Sequence, residues 1–102
     1  MADDEEPFAR ERFAPLVGQT FAVAHESDAG WVGPELELVS VQALRPHSRR
    51  AEPFSLLFRG PHRPILPQSI YDLTHAELGT LKIFLVPVQP SGDGAEYEAI
   101  FN

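Results

Sequence analysis

The chain has 102 residues, 43% of them hydrophobic and 23% charged, a composition typical of one globular domain and not of a disordered chain. Its formal net charge is −7, so phosphate backbones repel it on average and nucleic-acid binding is not expected. Because it has no cysteine, disulfides, thiol catalysis and cysteine-ligated zinc are excluded.

The N-terminal segment MADDEEP is polar and acidic and offers nothing to bury, which is typical of an arm or a frayed terminus. We therefore predict an acidic N-terminal arm over residues 1–12 and a single β domain over residues 13–102. In FARERFAPLVGQTF a proline and a glycine interrupt a brief apolar pattern. This segment predicts one short helical turn that lays Phe13 and Leu16 over the end of a sheet.

Alternation with a period of two begins after this turn and predicts the first two strands. Phe21 and Val23 share one face of the first strand. In the second, ELELVSVQAL, Leu36 and Leu38 face inward and the glutamates between them face water. The phase slips after the second leucine, and either a β-bulge near Ser40 or burial of both faces at that end accounts for the slip.

Four more strands are predicted in FSLLFRG, SIYDLTH, TLKIFLVPV and YEAIFN. Leu57 faces outward from the first of these, and Tyr71 and Leu73 share one face of the next. The strand TLKIFLVPV is apolar on both faces, with Ile83 on one and Phe84 on the other. Both faces of that strand are therefore expected to need cover.

The connections between these strands carry turn residues throughout. In THAELG, Thr74 and Glu77 have the spacing of a capping box, which predicts a tight helical turn within a hairpin. Six short strands without a long helix are typical of an all-β sandwich or small barrel. We predict an all-β fold of about six antiparallel strands, preceded by the short helical turn and paired in sequence order as a meander.

The sequence contains no constellation typical of catalysis or of cofactor binding. No two histidines have the spacing of a short metal motif; they are His25, His47, His62 and His75. No serine lies in a G-x-S-x-G elbow, and the glycine-containing turns lack the Gly-Lys-Ser/Thr of a phosphate loop. We therefore predict a non-enzymatic protein without a cofactor or a metal ion.

Arginines are concentrated in the two loops that flank the third strand: Arg45, Arg49, Arg50, Arg59 and Arg63. The strand separates them into two groups, so a single nucleic-acid surface is not expected. Two readings stay open: the loops are simply solvated, or they bind the acidic arm of a neighbouring copy. At the end of FSLLFRG we interpret Arg59 as pairing with an acid inside the fold, with a carboxylate clamp for a ligand or neighbour as the alternative.

Trp31 lies between two glycines in the loop ESDAGWVGP. A tryptophan in such a loop serves either as a platform for a ligand or partner, or as a lid over the end of the barrel. The first reading supports an alternative function, a small ligand- or carbohydrate-binding module that uses Trp31 and the proline-rich connection at 61–67.

Four segments of the chain resemble an uncharacterised family of small bacterial proteins, catalogued as a domain of unknown function. They are FAPLVGQTF (13–21), EPFSLLFRGP (52–61), LPQSIYDLTHAELGTLKIFLVPV (66–88) and YEAIFN (97–102). The family-like elements within them are F-R-G-P, L-P-Q-x-x-Y, F-L-V-P and a terminal Y-E-A-x-F-N, whereas the loop around Trp31 matches no part of the pattern. The resemblance implies an accessory role beside phage-tail-like collar and fibre proteins, by association alone.

From these observations we expect a structural or accessory protein that acts through assembly, as a homo-oligomer or as a component of a phage-tail-like particle. The expected partners are further copies or other protein subunits, without nucleic acid or membrane. Contacts are expected at sheet edges and at Trp31, Arg45, Arg49, Arg50, Leu57, Arg59, Arg63 and Phe84. No basic-then-apolar leader or run of ~20 apolar residues is present, so the expected location is the cytoplasm or a phage-derived particle.

Overall fold

The computed structural model of the chain describes residues 9–25, 32–44, 53–63, 65–89 and 94–101. Within these ranges a short helical segment precedes six strands. In chain order the elements are α1 (Arg10–Phe13), a 3₁₀ turn (Ala14–Leu16), β1 (Thr20–Ala24), β2 (Val32–Ala43), β3 (Phe54–Gly60), β4 (Ser69–His75), β5 (Gly79–Val88) and β6 (Ala95–Phe101). No helix in the described part of the chain is long and apolar enough to cross a membrane.

The strands form a closed barrel in the order β1-β2-β3-β6-β5-β4, and every neighbouring pair is antiparallel. The predicted all-β class is confirmed, and the barrel is the form adopted. Pairing in sequence order holds within β1–β3 and within β4–β6, but it is wrong between β3 and β4. The proline-rich connection cannot join a ladder and carries the chain to the far side of β1, so that β4, β1, β2 and β3 lie side by side as a Greek key.

The alternation of apolar and polar residues in β2 indicates which face is buried and where the register is interrupted. Leu36 and Leu38 are buried, whereas the glutamates beside them are exposed. The register with β3 shifts between Leu38 and Ser40, because Leu38 pairs with Phe58 while Ser40 pairs with Leu57. Of the two explanations for the phase slip, the register supports the β-bulge.

The inner faces of the strands supply an aromatic and aliphatic core. The largest fully buried side chains are Tyr97, Phe13, Phe21, Phe54, Phe58, Leu36, Leu38, Leu56, Leu66, Leu73, Ile83 and Leu85. As predicted, the helical segment buries Phe13 and Leu16. The ring of Phe13 lies 6.1 Å from that of Phe54 and 6.3 Å from that of Phe101, where β3 begins and β6 ends. The segment thus covers the barrel where these two strands meet.

A histidine, and not a capping box, holds the turn between β4 and β5. The hydroxyl of Thr74 lies 2.8 Å from that of Thr80 across the ladder. The backbone N–H of Glu77 donates instead to Nδ1 of His75, over 3.0 Å. Nε2 of His75 lies 2.7 Å from Oε1 of Gln19, so both ring nitrogens of this buried side chain have a hydrogen-bond partner. The predicted capping box is wrong because Thr74 belongs to the strand.

Candidate interaction surface

Three large apolar side chains are exposed on the outer surface of β4, β5 and β6. Ile70 is 55% exposed, Phe84 48% and Ile100 54%. We call these three residues the apolar face. Ile70 and Phe84 are direct cross-strand partners. On β6, Ile100 follows Glu98 by two residues, and Glu98 pairs with Val86, which follows Phe84 by two residues on β5. Ile100 and Phe84 therefore lie on the same outer side of neighbouring strands.

Strand alternation explains why these residues point outward. Their chain neighbours Tyr71, Ile83 and Ala99 are buried in the core. Because successive side chains of a strand lie on opposite faces, burial of one set exposes the other. The sequence predicts an outward Phe84, and the structure agrees; Ile70 and Ile100 were missed. The same alternation in SIYDLTH and YEAIFN carried the signal that could have found them.

Leu57, the other apolar residue predicted at an interface, lies one row from the apolar face and is half-buried. Its neighbour on β6 is Glu98, which also pairs with Val86 on β5. A carboxylate thus lies between two apolar side chains at the margin of the apolar face. Leu57 therefore borders the apolar face and is less accessible than Phe84.

The outer surface of the β4–β5 hairpin continues from the apolar pair into polar ones. Asp72 lies opposite Lys82, and Nζ of the lysine donates to Oδ1 of the aspartate over 3.0 Å. In the next row Thr74 lies opposite Thr80. The hairpin therefore presents an apolar, an ionic and a hydroxyl pair in succession.

Arg59 forms an ion pair with an acid inside the fold, as the sequence predicts. Its Nε and one terminal nitrogen donate to Oε2 of Glu96 on β6, over 3.2 and 2.9 Å. The Glu96 side chain is 3% exposed and that of Arg59 37%, so the carboxylate is buried while the guanidinium reaches solvent. Gly60 does not turn the chain; it lies in β3, where an added Cβ would come 2.5 Å from Cδ2 of Leu36. A role for Arg59 at an interface stays a prediction.

Of the remaining predicted contact residues, the structure describes Arg63 alone. Trp31, Arg45, Arg49 and Arg50 lie outside the described residues, and their roles stay predictions. Arg63 is exposed on the connection after β3. Further along that connection, the backbone N–H of Leu66 donates to the hydroxyl of Tyr97 over 2.9 Å, which anchors the segment to the barrel.

A small polar cluster, missed from the sequence, lies where β1 ends and β4 begins. Nε2 of His25 lies 3.2 Å from Oγ of Ser69, and its ring meets that of Tyr71 edge-on at 5.2 Å. The hydroxyl of Tyr71 donates to the carbonyl oxygen of Pro67 over 2.6 Å. Among the residues that the structure describes, no three histidine, aspartate or glutamate side chains are grouped to hold a metal ion.

Burial, and to a smaller extent the proximity of Tyr97, raises the pKa of Tyr71 above the usual 10.0. The folded state therefore keeps the phenolic proton at a pH where the unfolded chain loses it. The resulting stabilisation is complete below pH ~10 and is lost as the pH rises through the raised pKa.

We expect the free energy of unfolding of Tyr71→Phe to fall less steeply than that of the wild type above pH ~10. Urea denaturation from pH ~8 to ~11 measures this, and equal slopes for variant and wild type would contradict it.

A family described as a domain of unknown function (DUF6916) matches residues 8–101 of the chain. The match covers every element of the barrel, from α1 to β6. No curated protein and no solved structure shows significant similarity to the chain. The comparisons therefore identify a family and leave its activity open.

Proposed function

The chain belongs to the DUF6916 family of unknown function, and from this premise we propose that it is a non-enzymatic structural or accessory protein that acts through protein–protein assembly. The observation that carries the proposal is the apolar face, Ile70, Phe84 and Ile100, each about half exposed. The assembly is a homo-oligomer. The proposal that this oligomer belongs to a phage-tail-like particle rests only on the family resemblance of the four sequence segments.

The closed barrel restricts the way in which copies can meet. Each strand already has two hydrogen-bonded neighbours, so the barrel has no edge strand for a partner to extend. The expectation of contacts at sheet edges is therefore replaced by contacts between outer faces. Exposed apolar patches on small soluble domains are typical of such contacts.

The size of the apolar face sets the expected affinity. Full burial of a large apolar side chain contributes ~1.5–3 kcal/mol, so covering three half-exposed ones contributes roughly 3 kcal/mol per copy. Association itself costs ~4–15 kcal/mol in lost freedom of motion. Two copies together gain roughly 6 kcal/mol from the apolar face, which offsets only the lower part of that cost. Micromolar dissociation needs a net gain of ~8 kcal/mol, so residues around the apolar face must contribute as well.

We expect the wild type to show a concentration-dependent mass above that of the monomer between about 1 and 200 µM, and Phe84→Ser to shift it toward the monomer. Light scattering coupled to size-exclusion chromatography measures the mass. Ile65→Ser is the matched control, because Ile65 is 61% exposed yet lies on the connection before β4 and not in a strand of the apolar face. A wild type that remains a monomer throughout would rule out the homo-oligomer.

The dependence on salt concentration distinguishes this assembly from one in which the acidic arm binds the loop arginines. Copies that each carry a charge of −7 repel one another, so salt should maintain or strengthen an apolar contact. An arm–arginine contact should weaken as salt increases. Repeating the mass measurement at about 0.05 and 0.5 M salt, with and without residues 2–6, distinguishes the two.

A further inference from the structure

The outer surface of the β4–β5 hairpin has a chemical order that constrains how two copies can meet. It consists of three directly opposed pairs, Ile70–Phe84, Asp72–Lys82 and Thr74–Thr80, which we call the hairpin face. In the ionic pair Lys82 is well exposed, and the Asp72 side chain is 21% exposed. One strand thus carries the negative charge of the face and the other strand the positive charge.

Charge distinguishes between the two ways of stacking this face on itself. In one arrangement the two-fold axis is perpendicular to the strands and passes through the ionic row. Asp72 would then meet the partner's Asp72, and the apolar row of each copy would cover the threonine row of the other. Under a two-fold axis parallel to the strands and midway between them, β4 of one copy covers β5 of the other at the same level. Asp72 then meets the partner's Lys82, and Ile70 meets the partner's Phe84. Only this second arrangement places every row on a complementary row.

We propose that two copies of the chain associate through the hairpin face, about a two-fold axis that runs parallel to β4 and β5 and between them. This inference rests on the proposed function, because it names the partner and the geometry of the assembly. Packing of two aligned sheet faces with strands within ~30° of each other is a common arrangement of β-sheets. Phe84 and Ile70 form the apolar part of the contact, and the ionic rows determine its orientation.

The surroundings of the hairpin face favour this contact. With one aspartate and one lysine the face is locally neutral, although the chain carries −7. On β1, which flanks β4, the outward residues paired with Thr74 and Asp72 are Ala22 and Ala24, whose short side chains leave space for a second barrel. Elsewhere on the described outer surface, Glu35, Glu37 and Glu98 would bring like charges together in a symmetric contact.

Two charge variants test the geometry. Asp72→Lys gives the hairpin face two positive charges, and Lys82→Asp gives it two negative charges. Each variant alone should repel itself, and we expect its dimer dissociation constant to rise at least about tenfold. An equimolar mixture should form a 1:1 heterodimer with close to wild-type affinity, because the positive face of one chain meets the negative face of the other. Sedimentation velocity and native mass spectrometry measure affinity and composition.

The mixture is decisive because neither variant retains the ion pair within its own chain. Recovery on mixing therefore reports a contact between chains and not a repair of folding. If both variants assemble as the wild type does, the proposed axis is wrong, although assembly itself survives. If both dissociate and the mixture does not recover, the hairpin faces of the two copies do not meet. Thermal unfolding of each variant shows that it is folded.

Discussion

Phe21→Ala is expected to lower the free energy of unfolding by about 3–5 kcal/mol, the range for removal of a fully buried aromatic ring. Phe21 is completely buried in β1, and its ring meets that of Phe58 edge-on at 5.4 Å. The ring of Phe21 also lies 4.9 Å from that of His75. The substitution therefore leaves a cavity and also loosens the histidine that holds the β4–β5 turn.

Urea denaturation measures this loss as a lower midpoint with an unchanged slope, since the folded topology is retained. Val17→Ala is the control, because Val17 is 46% exposed and its truncation should change the stability by less than about 0.5 kcal/mol. A loss below about 1 kcal/mol for Phe21→Ala would show that the centre of the core is not packed as described.

Gly94→Ala is the second substitution with a large expected effect, a loss of about 2–4 kcal/mol, for two separate reasons. Gly94 has a φ of +97°, which strains any residue with a side chain. An added Cβ would also overlap the carbonyl oxygen of Gly60 and lie 3.4 Å from Cγ of Arg59. Relief of that overlap would displace the start of β6, whose Glu96 holds Arg59.

Gly18→Ala separates the two causes. Gly18 has nearly the same backbone angle, a φ of +94°, yet an added Cβ there meets nothing within 4 Å. It should lose only the strain contribution, about 1 kcal/mol. Chemical denaturation of both variants gives the difference, which isolates the overlap at Gly94. Equal losses would show that the approach of Gly94 to Gly60 is unimportant.

Local features of the fold were accessible from the sequence. The alternation in β2 gave the inward leucines and the bulge, because both depend on neighbouring residues of one strand. The order of the strands was not accessible, since β4 lies beside β1 through pairs such as Val23 with Leu73, which no local pattern specifies. The capping-box spacing was misleading for a related reason. Thr74 has a cross-strand partner, Thr80, that only the register reveals.

The candidate surface was likewise predictable only where it depends on neighbouring residues of one strand. That Phe84 points outward follows from the alternation of its own strand. That it pairs with Ile70 depends on the β4–β5 register, and that Ile100 lies on the same outer side depends on the neighbouring β5–β6 ladder. The buried carboxylate of Glu96 was equally hidden, because its partner Arg59 lies on a strand distant in the chain.

The order of strands around the barrel also has a kinetic consequence. Strands β1–β3 form one three-stranded unit and β4–β6 another, each built from neighbours in the chain, whereas the β3–β6 and β1–β4 seams join the two units. Those seams close the longest loops, so each of them costs more loop-closure entropy than a hairpin within either unit. Joining the units should therefore limit the folding rate, on the order of milliseconds to seconds for a topology with such non-local contacts.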